Sequence, residues 1–122
     1  MGLARLSISE GPLDGVDDGI VVHPRGPIRA REGEAFRTHI DALLKTQPSN
    51  LVIDFGQCEG IDSSAAGYLL MLHDKLRESG GRLALADLPQ SVQMVIDSIG
   101  LTSFFTVCDT VGDAATRIRD GD

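Results

Sequence analysis

Residues 51 to 55 read Leu51-Val52-Ile53-Asp54-Phe55, a run too short for a helix, β-branched, and apolar on both of its alternating faces. Successive side chains of a strand point to opposite sides, so a strand of this kind has to be covered twice. A central strand with helices packed around it meets that demand. The chain has 122 residues, enough for one core and little room for a second, which predicts a single α/β domain spanning residues 1 to 122.

The rest of the chain alternates strand and helix signals around that run. Residues 3 to 9 alternate apolar with polar and predict an edge strand, and a Gly/Pro/Asp segment then breaks the pattern. Residues 20 to 26 predict a second strand, which Pro24 should confine to an edge or an end because proline donates nothing to a ladder. These two strands suit a hairpin. Phe36, Ile40, Leu43 and Leu44 stand at helical spacing within residues 34 to 46, and Pro48 stops that helix. A second helix carries Leu69, Leu72 and Leu76 on one stripe and ends at Gly80-Gly81. Residues 83 to 86 predict a strand, Pro89 opens a helix with Val92, Val95, Ile96 and Ile99 on its apolar face, and Gly100 closes it. A last strand over 104 to 108 precedes a helix capped by Thr110 or Asp109 and running to Ile118, after which residues 119 to 122 should fray. The predicted order is ββαβαβαβα. Right-handed crossovers then put the 51 to 55 strand mid-sheet, with the loop over residues 56 to 62 at its carboxyl end, where open α/β sheets build their sites.

Charge restricts what such a site meets. With 18 acidic against 11 basic residues the net charge is -7, which argues against nucleic acid and anionic membrane surfaces. A protein partner or a small ligand fits better. The start shows no apolar core of a signal peptide, no later segment approaches a membrane span, and the myristoylation pattern suggested by Gly2 lacks its hydroxyl residue because Leu6 stands there. Cys58 and Cys108 are far apart and form no CxxC pair, so they read as reduced, packed thiols in a cytoplasm.

The loop itself reads Gly60-Ile61-Asp62-Ser63-Ser64-Ala65-Ala66-Gly67 and brings two hydroxyls to the start of a helix. Unpaired N–H groups and the positive end of the helix dipole meet there, so an oxygen on Ser63 suits either a cap or a phosphate. Catalytic chemistry finds little support. The stretch does not spell Gly-x-Ser-x-Gly, and His23, His39 and His73 are scattered without a partnering pattern. Asp54 and Asp62 lack a third metal ligand, no GxxxxGK[ST] loop is present, and Asp54 reads as a strand terminator bonded to its own loop. Neither an enzyme nor a metal or cofactor site is expected. Met71 and Met94 read as core or interface.

Four stretches together resemble a known family: Leu51-Val52-Ile53-Asp54-Phe55, then Ile61-Asp62-Ser63-Ser64 with Gly67, then Gly80-Gly81-Arg82-Leu83, and Ser98-Ile99-Gly100-Leu101. In that order and spacing they look like a STAS domain, the fold of bacterial anti-sigma factor antagonists, over essentially the whole chain. The resemblance implies a mixed β-sheet with an N-terminal β-hairpin and about four α-helices packed mainly on one face. It also implies a switch: an antagonist binds a GHKL-type serine kinase that doubles as the anti-sigma factor, freeing the sigma factor. Phosphorylation of the serine matching Ser63, or less favourably Ser64, abolishes binding until a PP2C-type phosphatase removes the phosphate. The partner surface implied is Asp62, Ser63, Ser64, Ala66 and Gly67. Family members commonly read Asp-Ser-Ser-Gly here, whereas this chain has Ala65, and Gly-Glu-Leu-Asp where it has Gly26-Pro27-Ile28-Arg29. Arg29 and Arg31 therefore join the expected surface, as cations able to hold a phosphate or an acidic partner. The alternative within the same fold is a non-phosphorylated scaffold or interaction subunit of a transport or sensing complex.

Overall fold

A computed structural model describes residues 6 to 121, so residues 3 to 5 of the expected first strand, Gly2 and the last residue of the expected frayed end lie outside the described residues. The elements run β1 (Ser7–Pro12), β2 (Gly19–Ile28), α1 (Arg31–Leu44), β3 (Asn50–Asp54), β4 (Cys58–Ile61), α2 (Ser63–Glu78), β5 (Arg82–Ala86), α3 (Gln90–Ser98), β6 (Thr106–Cys108) and α4 (Val111–Arg119). They make a mixed six-stranded sheet in the order β1-β2-β3-β5-β6, with β4 paired to β2 off that path. β1 and β2 form the expected antiparallel hairpin, and every other pairing is parallel.

β3 lies in the middle, as its composition demands. Leu51 and Ile53 are wholly buried on the face that also takes Phe36 and Ile40 from α1, Leu69 and Leu72 from α2, and Val92 and Ile96 from α3. Val52 faces the other way, into a smaller cluster with Ala84, Ala86, Ala114, Ala115 and Ile118. Three helices thus cover one face and α4 alone covers the other, where alanines on both sides let helix and sheet approach closely. Thr110 rather than Asp109 caps α4, its hydroxyl accepting from the Asp113 N–H at 3.0 Å.

Three expectations change. β2 is flanked by β1 and β3, so Pro24 does not mark an edge strand. It falls where β2 changes neighbours, after the last β2–β3 pair, Val22↔Ile53, and before the first β2–β4 pair, Gly26↔Cys58, so no ladder bond to β3 or β4 is demanded of it. β4 occupies what was expected to be loop over residues 56 to 62. The final strand is shorter than expected, beginning at Thr106, because Phe104 and Phe105 lie in the turn before it.

This sheet sets the site's position. β2 leaves β3 and bends beside β4, so the ends of β2 and β4 deliver Arg29 and Asp62 to the same edge. Two helices then start side by side there, α1 at Arg31 and α2 at Ser63.

Candidate functional site

Asp62 is the N-cap of α2 and its backbone is extended there, with φ -105° and ψ 177°. One carboxylate oxygen, Oδ1, accepts from the Ala65 N–H at 2.9 Å, as a capping aspartate should. The other, Oδ2, accepts from the Ala30 N–H at 3.1 Å. Ala30 is itself the N-cap position of α1, so one side chain ties together two helix starts. The backbone adds to this, with the Asp62 N–H donating to the Ile28 carbonyl at 3.3 Å. Two positive dipole ends therefore converge beside a single carboxylate.

Because Asp62 takes the cap, Ser63 does not need to. Ser63 is the first residue of α2 and is exposed, as is Ser64, and neither hydroxyl has a hydrogen-bond partner among the described residues. Their backbone N–H groups likewise have none there, being two of the orphan donors of a first helical turn. An oxyanion attached to Ser63 would find these donors within its own turn. The sequence left cap and phosphate open at Ser63, and the geometry assigns the cap to the residue before it.

Arg29 lies close by. Its guanidinium passes over Gly60, where an added Cβ would sit 3.3 Å from Nη2, and Gly60 has φ +150°. A side chain at 60 would press on that arginine. Arg29 and Arg31 are both exposed and form no ion pair among the described residues, while Glu32 and Glu34 stand in the first turn of α1. Between the arginines, Ala30 has φ 51° and ψ -118°, a conformation that costs an L-residue about 1–3 kcal/mol. Its N–H bond to Asp62 helps hold it there.

The other expected site residues divide. Gly67 is exposed one turn along α2 from Ser63, and Met71 follows on the same stripe with 58% of its surface exposed. Met94 on α3 is exposed too, so both methionines are surface groups and not core. Ala66 is wholly buried against the central cluster, so its side chain belongs to packing and not to the outer surface. Asp54 ends β3 as expected, accepting from the Gly56 N–H at 2.9 Å, and it also meets His23 Nδ1 at 2.9 Å. That pair joins the end of β3 to the middle of β2. Cys58 and Cys108 are both free and buried.

Behind the site, burial pushes the Cys58 thiol above its ordinary value. Tyr68 on α2 donates its hydroxyl to Asp41 on α1 at 2.6 Å, and burial together with that carboxylate pushes its pKa far above the usual phenol range. The two helices are thus joined by a hydrogen bond one turn along α2 from the serines. Sequence reading missed two parts of this arrangement: the second bond of Asp62, whose partner is 32 positions away, and the strained Ala30. An Asp one residue ahead of the serines was the available signal for the cap, since Asp caps at least as well as Ser.

Residues 12–114 match the STAS domain family model. A Thermotoga maritima protein named as a proposed anti-sigma factor antagonist is 23% identical over 109 residues, covering 88% of this chain and 96% of its own. The anti-sigma F factor antagonist of Paenibacillus polymyxa is 23% identical over 101 residues, covering 82% and 86%. Among solved structures, an anti-sigma factor antagonist from Mycobacterium paratuberculosis superposes with a TM-score of 0.79 at 27% identity, over 93% of this chain and 96% of that one. SpoIIAA of Bacillus in its phosphorylated form shares the fold, with a TM-score of 0.68 at 19% identity, over 93% of this chain and 100% of that one. No helix among the described residues is long and apolar enough to cross a membrane. With the family model covering most of the sequence and the sheet, helices and loop in agreement, the chain belongs to the STAS domain family.

Proposed function

We propose that this chain is an anti-sigma factor antagonist, a non-catalytic binding switch whose control point is Ser63. The observation that carries the proposal is the division of labour at the start of α2: Asp62 makes the cap, leaving the Ser63 hydroxyl exposed and uncommitted. Phosphorylation there adds about -1.5 to -2 charge without removing a bond that holds the helix. The names of its relatives, and the solving of one member of the fold in phosphorylated form, support the same reading.

In the unmodified state the exposed turn of Ser63, Ser64 and Gly67, flanked by Arg29 and Arg31, forms the face offered to a GHKL-type serine kinase acting as anti-sigma factor. A phosphate on Ser63 is held by the free N–H groups of the first turn and lies beside the Asp62 carboxylate. The face then changes in charge and bulk while the fold remains, so the partner is released. A PP2C-type phosphatase reverses the change. Incubation with a GHKL-type serine kinase from the same source and ATP, followed by peptide mapping, tests this. The expected result is one phosphate on Ser63; a map with the phosphate elsewhere, or with none, overturns the switch.

A further inference from the structure

At the far end of α2 from Ser63, the last turn of the helix, the start of β5 and the turn before β6 enclose a cavity of about 460 Å³. Among the described residues its lining includes Arg77, Arg82, His73 and Phe104 and contains no Asp or Glu. In a chain of net charge -7 that is a local concentration of guanidinium donors. The Arg77 guanidinium has no hydrogen-bond or ion-pair partner among the described residues, and Arg82 uses one Nη2 donor on the Gly121 carbonyl at 2.6 Å. Most of the ten N–H donors that two guanidinium groups carry, about five each, remain free.

The walls are fixed in place. Gly81 is pressed against the Ser49 carbonyl, and Gly81 N–H donates to Leu76 O at 2.8 Å, so the floor cannot shift easily. Phe104 is 43% exposed, yet its ring is held by His73, with centroids 4.5 Å apart, and by Phe105 edge-on at 5.8 Å. His73 in turn has its Nδ1 3.5 Å from the Asp74 carboxylate. An apolar ring is thus presented beside two planar cations that have no carboxylate partner among the described residues, in a volume near the lower end of the range for small-ligand sites. Guanidinium forks match carboxylate and phosphate oxygens in bidentate bonds, and an exposed aromatic face accepts another ring.

We propose that this cavity is a binding site for a small aromatic anion, one planar ring bearing a carboxylate or a phosphate, with Arg77 and Arg82 on the anionic group and Phe104 against the ring. The site is separate from Ser63 and does not depend on the switch. Titration of the full chain with phenyl phosphate or benzoate, followed by backbone amide NMR, tests it, with inorganic phosphate and benzyl alcohol as the halves of the ligand. The expected result is saturable shifts confined to residues 73 to 83 and 104 to 106 for at least one of the two aromatic anions. Which anion binds more tightly identifies the acidic group. Arg77→Gln, a change on an exposed helix surface, should weaken binding by about tenfold, as expected for a lost charge-assisted bond, and Phe104→Ala by about fivefold. Arg82→Gln provides a second variant with the same expected direction. Absence of saturation with both anions, shifts centred on Ser63, equal binding by inorganic phosphate, or unchanged affinity in both arginine variants would each overturn the proposal.

Discussion

At its N-terminus α2 meets a carboxylate; at its C-terminus it meets two glycines. Both ends of an α-helix leave backbone groups without partners, and the two here are completed by different means. At the start, the Asp62 side chain supplies the acceptor and bridges to Ala30, leaving two serine hydroxyls and two N–H groups facing outward. At the end, the backbone closes on itself: Gly80 N–H donates to Arg77 O at 3.0 Å and Gly81 N–H to Leu76 O at 2.8 Å. Gly80 has φ +88°, the left-handed turn that ends a helix. A side-chain cap keeps one end chemically open, whereas a backbone cap makes the other a rigid stop.

The largest effect is expected at the rigid end. A Cβ on Gly81 would lie 1.4 Å from the Ser49 carbonyl oxygen, a backbone atom that also accepts from the Arg82 N–H. Gly81→Ala should cost roughly 3 kcal/mol or abolish folding, measured by urea denaturation. A near-neutral result would show that this end is not closed by contact. Next comes Asp62→Ala, which removes both carboxylate bonds and should cost about 2 kcal/mol. Asp62→Asn keeps one oxygen for the Ala65 N–H but sets its NH2 against the Ala30 N–H, so it should recover the cap and not the bridge, about half of that loss. If Asn is as stable as the wild type, the bond from Ala30 contributes nothing; if it fails as badly as Ala, the bridge to Ala30, and not the cap, carries the effect.

A smaller, opposite change is expected beside it. Ala30→Gly relieves a conformation that glycine adopts freely and should raise stability by about 1 kcal/mol, offset in part by unfolded-state entropy. A loss of stability would mean that the φ of 51° is not held in solution. The smallest effect concerns β4, which carries the chain into the open end. Burial raises the Cys58 thiol above its ordinary value, so its neutral form is favoured in the fold. The stability this gives is present below the unfolded thiol's pKa and is lost as pH rises through the higher folded value. Alkylation of Cys58 should therefore remain slow through neutral pH and accelerate only in alkali. Rapid labelling at neutral pH would show that β4 opens.

How much of this was legible follows the range of the forces involved. The central place of β3, the stops at Gly80 and Gly100, and the three apolar helix stripes rest on local spacing and were readable. β4 was not, because Glu59 and Gly60 are poor strand formers and its pairing depends on β2 changing neighbours at Pro24. Proline pointed to an edge or an end of a strand, while the structure uses it at a switch between partners. Ser63 stood out as a residue of interest, but the feature that frees it is a tertiary bond from Asp62 to Ala30, invisible to periodicity. Ala66 shows the converse: motif membership suggested a contact surface, and the helical turn points it inward.

The central claim is that Ser63 is a surface control point and not part of the helix's own scaffolding. The most direct measurement compares wild type, Ser63→Ala and Ser63→Asp, by thermal melt and by affinity for the proposed serine-kinase partner. Both variants should melt like the wild type, to within about 0.5 kcal/mol, since Asp62 and not Ser63 makes the cap. Ser63→Ala should keep the partner and Ser63→Asp should lose it. A large loss of stability in Ser63→Ala, or a Ser63→Asp protein that still binds as tightly as wild type, would contradict the account.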